Sequence, residues 1–293
     1  MAQARALWLI HNDASGSNDR EALERMSEGC VDCGLRVAFS TCFPTDDLPT
    51  PAMLDAAKLD LVAIFAGDGT VNAALGALKG WGGQVLILPG GTMNLLYHRL
   101  FGELELEDVL ALAGSGGLVA RRPSIITSPL GVAYAGLLAG PGTSWNDVRE
   151  AMRNTDVLGL ATETREAFAR TLQDEPLRCL EPPLGRAEGY PLLLMEPGDG
   201  AIDIKAYHAE TTGEFIDQLM ALAKHDFREG PHSNIGQEKN VTLCGVNKGE
   251  FGVLLDGEPT DANGATRFEL SACEVDLLAA KTEDRPDNAS ADD

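Results

Sequence analysis

Two stretches of the chain share one plan: LDLVAIFAGDGTVNAALGAL at residues 59–78 and QVLILPGGTMN at residues 84–94. Each is a short apolar run, then glycines with small polar residues, then the opening of a helical pattern. A run that is apolar at successive positions suits a strand buried on both faces, the condition of a parallel sheet covered by helices. In such a sheet ligands bind beyond the carboxyl ends of the strands, where both glycine turns fall. The repeated device narrows this part of the chain to a layered α/β architecture with a ligand-holding edge.

The same alternation begins earlier. ARALWLIHN, a helix from about Asn18 to Gly29, LRVAFST and a short helix near Met53 to Lys58 precede LDLVAIFA. Asn18 followed by Glu21 has capping-box spacing. Val71, Ala74, Leu75 and Leu78 form one apolar face and Gly80 follows, which predicts a helix over 71–79. Past about Arg122 the texture changes. YPLLLME, AIDIKAYHAE, KNVTLCGV, EFGVLLDGE and TRFELSA read as strands bounded by turn residues. The expected organisation is therefore an α/β domain at 1–122, Rossmann-like and nucleotide-binding, followed by a mainly-β sandwich domain at 123–280. The second domain carries a helical insertion near 145–173, and an acidic tail at 281–293 lacks the apolar side chains to order itself.

Composition removes some function classes. With 23 Lys and Arg against 45 Asp and Glu, the formal net charge is −22. Such a surface repels nucleic acid phosphates and acidic membranes, so no nucleic acid partner is expected and any membrane contact would be transient. The apolar run near the start is too short for a signal peptide core, and LGVAYAGLLAG falls short of a spanning helix. Six cysteines are too few for a disulfide scaffold in a chain of 293 residues, and a reduced, cytoplasmic protein is expected. Cys30-Val-Asp-Cys33 has redox or zinc spacing, but no second pair follows at finger-like distance, so it reads as small residues closing a helix.

The glycine loops suit phosphate. Glycines let the backbone approach a ligand closely, and the first amides of the following helix face an anion. A P-loop is excluded because GxxxxGK[ST] is absent, and a dinucleotide fingerprint fails because Asn72 stands where the third glycine belongs. HNDASGSN, after the first strand, adds a third loop of small polar residues to the same sheet edge.

GDGTVN followed by PGGTMN resembles the diacylglycerol kinase catalytic-domain family, which includes sphingosine and ceramide kinases and bacterial lipid kinases. The resemblance implies an ATP site in the N-terminal domain and acceptor-side residues from a β-rich C-terminal domain. It assigns Gly67, Asp68, Gly69, Thr70 and Asn72 to the nucleotide or its Mg²⁺, with Gly91, Thr92 and Asn94 completing the pocket. HNDASG is similar to the family's N-P-x-S-G motif, with Asn12, Ser15 and Gly16 in register and Asp13 in place of proline. Asp256-Gly257-Glu258 matches the family's DGE, which makes Asp256 the residue that accepts the acceptor hydroxyl's proton and places Glu258 with the nucleotide set. Alone, Asp-Gly between strand-like runs is a hairpin signal. GDGAIDIKAY resembles the family's DG-x-LD-V strand and makes Asp199 a candidate metal ligand beside Asp68. Ala66 stands where the family has glycine, Ala73 where it has glutamate, and the middle segment AGLLAGPGTSWNDVREAMR does not reproduce the family's pattern.

The function implied is transfer of the γ-phosphoryl group of ATP, with Mg²⁺, to a hydroxyl of a diacylglycerol- or sphingosine-like lipid. The charge favours an uncharged or cationic amphiphile, and edge strands of a β-rich half are compatible with a homodimer. Two alternatives stand beside this reading. NAD kinases share the GDGT loop, and a protein of the same fold can bind nucleotide or lipid without catalysis.

Overall fold

The computed structural model describes residues 4–13, 20–140, 176–207, 232–247 and 249–281. The helical insertion and acidic tail expected from sequence, and the Asn18 cap, lie outside these residues. Two compact units divide the chain: residues to 123 together with those from 273 onward, and residues 124–272.

The first unit runs β1 (Arg5–His11), α1 (Arg20–Asp32), β2 (Leu35–Cys42), α2 (Pro51–Ala56), β3 (Leu61–Ala66), α3 (Asp68–Ala77), β4 (Gln84–Pro89), α4 (Leu95–Phe101), α5 (Leu106–Ser115) and β5 (Val119–Arg121). Every residue of β3 is buried, as a strand covered on both faces requires. Local chemistry sets the helix ends. Thr50 caps α2 by accepting the Met53 amide on its hydroxyl at 3.4 Å, and Pro51 occupies the first turn, where a missing N–H does no harm. Cys30 is buried, with its thiol 3.6 Å from Met26 Sδ, and the Cys33 amide closes the helix end on the Gly29 carbonyl. The CxxC pair thus sits at the closing turn of α1.

The second unit contains β6 (Ser124–Ser128), β7 (Gly131–Ala133), β8 (Leu137–Gly140), β9 (Leu177–Glu181), β10 (Leu192–Pro197), β11 (Ile202–Tyr207), β12 (His232–Glu238), β13 (Asn240–Gly245), β14 (Glu250–Leu255), β15 (Glu258–Asn263) and β16 (Thr266–Ala272). They form two antiparallel sheets, ordered β12-β11-β10-β8-β14-β15 and β7-β6-β16-β13-β9. Alternate residues of both sheets enter one core: Leu193, Met195, Ile202, Ile204 and Val253 from the first, Ile126, Val241, Leu243 and Phe268 from the second. This is the expected β-sandwich.

The last strand, β17 (Asp276–Ala279), corrects the expected boundary. It leaves the sandwich and pairs with β4 in parallel and β5 in antiparallel orientation, completing a six-stranded sheet β2-β1-β3-β4-β17-β5. A domain limit at 280 therefore runs past the sandwich, because an apolar run such as DLLA does not declare which sheet it joins.

The strand order fixes the switch point of the sheet. The chain passes from β1 outward to β2, then returns to β3 on the other side of β1. The gap between the carboxyl ends of β1 and β3 is the topological switch point of the sheet. Among the described residues no helix is long and apolar enough to cross a membrane.

Candidate functional site

The connection after β3 is tighter than the sequence suggests. Helix α3 begins at Asp68, three residues before the predicted start, so Gly67 alone separates strand from helix and serves as its N-cap. Gly69 and Thr70 therefore belong to the first helical turn, whose amides point out along the axis at the sheet edge. Thr70 and Val71 direct their amides to the Gly67 carbonyl at 3.0 and 3.1 Å.

Three interactions join this turn to its neighbours. Asn12, just past β1, donates from Nδ2 to Thr70 Oγ1 at 3.0 Å, bridging the switch point. The Asp68 carboxylate accepts the Leu95 amide on Oδ1 at 2.8 Å, tying the start of α3 to the start of α4. The two glycine turns also touch through their backbones. A Cβ on Gly91 would stand 2.5 Å from Gly67 Cα, and one on Gly90 would stand 2.5 Å from the Ala66 nitrogen and 2.7 Å from the Phe65 carbonyl carbon. Only glycine fits at that separation, so the sequence reading missed Gly90 as a member of the site.

Asn94 closes the second turn. Its Oδ1 accepts the Gly91 amide at 2.8 Å while its Nδ2 donates to the Gly91 carbonyl at 2.9 Å, and its φ of 50° lies in the left-handed region that asparagine tolerates. Thr92 is exposed at the tip of this turn, and Asn72 is half-buried on α3. Ser15 and Gly16 lie outside the described residues. The structure thus brings together Asn12, Gly67, Asp68, Thr70, Gly91 and Asn94.

These residues could hold phosphate groups together with one divalent cation. The glycine backbones leave room for close approach, and Asp68 stands at the positive end of α3. A carboxylate there weakens the helix end as a bare anion site, and Asp68 would hold a divalent cation that offsets its charge. Mg²⁺ needs only one or two protein carboxylates, because it keeps waters and takes phosphate oxygens.

The candidates in the second unit are placed differently. Asp256 and Gly257 form the two-residue turn between β14 and β15, with Leu255 paired to Glu258 and both turn residues at positive φ, 48° and 82°. This is the hairpin that Asp-Gly signals. Yet the Asp256 side chain is turned inward and is 3% exposed. Oδ2 accepts the Tyr134 amide at 2.7 Å, and Oδ1 accepts those of Ala135 and Gly136 at 2.7 and 3.0 Å. Three successive amides between β7 and β8 make a nest for this carboxylate. Nothing in the sequence GVAYAG announces that nest. Glu258 opens β15 half-buried, whereas Asp199 is exposed in the turn between β10 and β11. Among the described residues Asp199 joins no group of three metal-ligating side chains.

These features define a two-unit α/β-plus-β-sandwich protein with a glycine-lined edge at the switch point of its parallel sheet. Residues 6–119 match the family model described as "Diacylglycerol kinase catalytic domain". The fold is shared with solved structures from Bacillus anthracis str. Sterne. One, described as a diacylglycerol kinase, has a TM-score of 0.59 at 15% identity, covering 95% of this chain and 98% of that chain. A second, designated a candidate diacylglycerol kinase, has a TM-score of 0.60 at 16% identity over 97% of this chain and 99% of that one. No curated protein matches the chain.

Proposed function

We propose that the protein is an ATP-dependent kinase that transfers the γ-phosphoryl group to a hydroxyl of a diacylglycerol- or sphingosine-like lipid. The observation that carries this reading is the pair of interlocked glycine turns at the switch point, inside the segment that matches the diacylglycerol kinase catalytic domain. In this reading the backbones of Gly67, Gly69 and Gly91 approach the phosphates. Asn12, Thr70 and Asn94 hold the turns that present them, and Asp68 holds the cation. Mg²⁺, when bound, neutralises charge on the transferred group. Asp256 orients the acceptor hydroxyl or takes its proton. The net charge of −22 favours an acceptor without a phosphate headgroup.

One observation favours a second reading, a protein that binds nucleotide or lipid without transfer. Three of the roughly four acceptor positions of the Asp256 carboxylate are committed to backbone amides, which by itself suffices to explain a buried aspartate.

The test is label transfer from γ-labelled ATP with Mg²⁺ to a panel of diacylglycerol, sphingosine and ceramide in mixed micelles, with NAD as a further acceptor. Label in a lipid supports the proposal and names the acceptor. Label in NAD moves the protein to the nucleotide-phosphorylating class. Nucleotide binding without transfer to any acceptor supports the second reading.

A further inference from the structure

A second constellation stands at the same sheet edge, outside the glycine turns. His11 ends β1, Cys42 ends β2, and the two are partners in the parallel ladder. Asp13 follows His11 by two residues, and its Oδ1 lies 2.8 Å from His11 Nδ1. The imidazole nitrogens, the Cys42 Sγ and the Asp13 carboxylate supply one ligand atom each within 4.8 Å of one another. From this juxtaposition we infer that His11, Asp13 and Cys42 form a binding site for a transition-metal ion of the zinc class.

The donor chemistry sets the class. Imidazole nitrogen with thiolate sulfur suits Zn²⁺ and neighbouring ions such as Co²⁺, whereas Mg²⁺ and Ca²⁺ take oxygen ligands. The site is therefore chemically distinct from the single carboxylate of Asp68. Around a tetrahedral zinc ion, bond lengths of about 2.0–2.3 Å put ligand atoms about 3.3–3.8 Å apart. Reaching that spacing needs the His11–Asp13 contact to open by about half an ångström and the thiol to draw in.

The burial pattern shows which group moves. His11 is 9% exposed and fixed in the sheet, and the Asp13 side chain is 69% exposed. The backbones on both sides are already held. The Phe43 amide donates to the His11 carbonyl at 2.9 Å, and Asp46 Oδ2 accepts the Cys42 amide at 3.0 Å. These bonds hold the backbones of His11 and Cys42 in register at the two strand ends. A His–Asp hydrogen bond alone accounts for two of the three side chains, and it gives no reason for the thiol beside them. Binding converts the Cys42 thiol to thiolate and releases its proton to buffer. Three protein ligands leave a fourth position for water, the pattern of an open site.

The experiment is titration of the full-length, chelator-treated protein with Co²⁺ alone, read by visible and near-ultraviolet absorption, then with Zn²⁺ in competition. The expected result is one equivalent of Co²⁺ giving tetrahedral ligand-field bands and a thiolate charge-transfer band, both bleached by Zn²⁺. Cys42→Ala removes the charge-transfer band, and Cys33→Ala, at the other half-buried cysteine, retains it. Asp13→Ala, at an exposed side chain bonded to His11, weakens Co²⁺ binding at least tenfold, the scale of removing a group bonded to a ligating histidine. Absence of a charge-transfer band in the wild type overturns the inference. So does a band that persists in Cys42→Ala, or unchanged affinity in Asp13→Ala. These readouts do not involve ATP, so the outcome is independent of the kinase proposal.

Discussion

The Asp68 carboxylate accepts the backbone amide of Leu95 at 2.8 Å, so the first residue of α3 is bonded to the first residue of α4. One side chain therefore ties the start of α3 to the start of α4, and in the proposed function it also holds the cation. Structural and chemical roles of Asp68 have to be separated by the choice of substitution.

Asn at this position keeps an acceptor oxygen for Leu95, and Ala does not. Asp68→Ala is expected to be less stable than Asp68→Asn by about 1 kcal/mol, the net worth of one hydrogen bond. Both variants lose Mg²⁺-dependent transfer. Chemical denaturation beside the transfer assay checks this, and equal stability of the two variants would remove the Leu95 bond from the account.

The close approach of the two turns makes a sharper forecast. Gly90→Ala drives a methyl group into the Phe65–Ala66 backbone and is expected to cost about 1–3 kcal/mol, the range for overpacking, and to weaken ATP binding. Gly82→Ala adds a methyl with nothing within 4 Å and stays within about 0.5 kcal/mol of wild type. Denaturation midpoints and calorimetric ATP affinity for the pair distinguish a steric requirement from a general dislike of alanine.

At Asp256, asparagine tolerates the left-handed turn but sets an amide N–H₂ against a nest of N–H donors. Asp256→Asn is expected to destabilise the protein by about 1–3 kcal/mol through an unsatisfied donor. If Asp256 also serves the acceptor hydroxyl, turnover falls by about 10²- to 10⁴-fold while ATP affinity is retained. Turnover must be measured below the variant's own unfolding temperature. A near-normal rate in a destabilised variant assigns Asp256 to the hairpin alone.

Burial also sets an alkaline limit. It pushes the Cys30 thiol up to about 11, with Cys33 adding to the effect, and the Cys179 thiol up to about 12, with Cys244 adding. Unfolded thiols ionise near about 8.5, so between that pH and 11–12 the unfolded chain has released protons that the folded chain retains. Stability from this source is complete below about pH 8.5 and is lost as pH rises, by at most about 1.4 kcal/mol per unit per thiol. Urea midpoints at about pH 8 and about pH 10 read this slope. Native alkylation at neutral pH should reach Cys33 and Cys42 and spare the four buried cysteines. A flat pH profile, or ready alkylation of Cys30, would contradict the burial.

Much of the first unit was legible because its signals are local. Continuous apolar runs marked β3 and β4, and the glycine turns after them fall at the sheet edge where they were expected. The helix start at Asp68 was missed by three residues, since a pattern of apolar faces begins only at Val71 and says nothing of the polar first turn. Gly90 was read as part of the turn but left out of the site residues, because only the other turn's backbone makes glycine compulsory there. The Tyr134–Gly136 nest and the cluster of His11, Asp13 and Cys42 escaped notice for a related reason. Each joins segments distant in sequence through contacts that no spacing encodes. The domain limit at 280 took in residues 276–279 by the same blindness to long-range pairing.

In the proposed function the glycine turns hold ATP. Hydrogen–deuterium exchange with and without Mg²⁺ and ATP measures this directly, peptide by peptide. Slowed exchange is expected at Gly67–Val71 and Gly90–Leu95, and is expected to be lost in Gly90→Ala. Unchanged exchange in both turns under saturating ATP, or protection confined to other segments, would contradict that function.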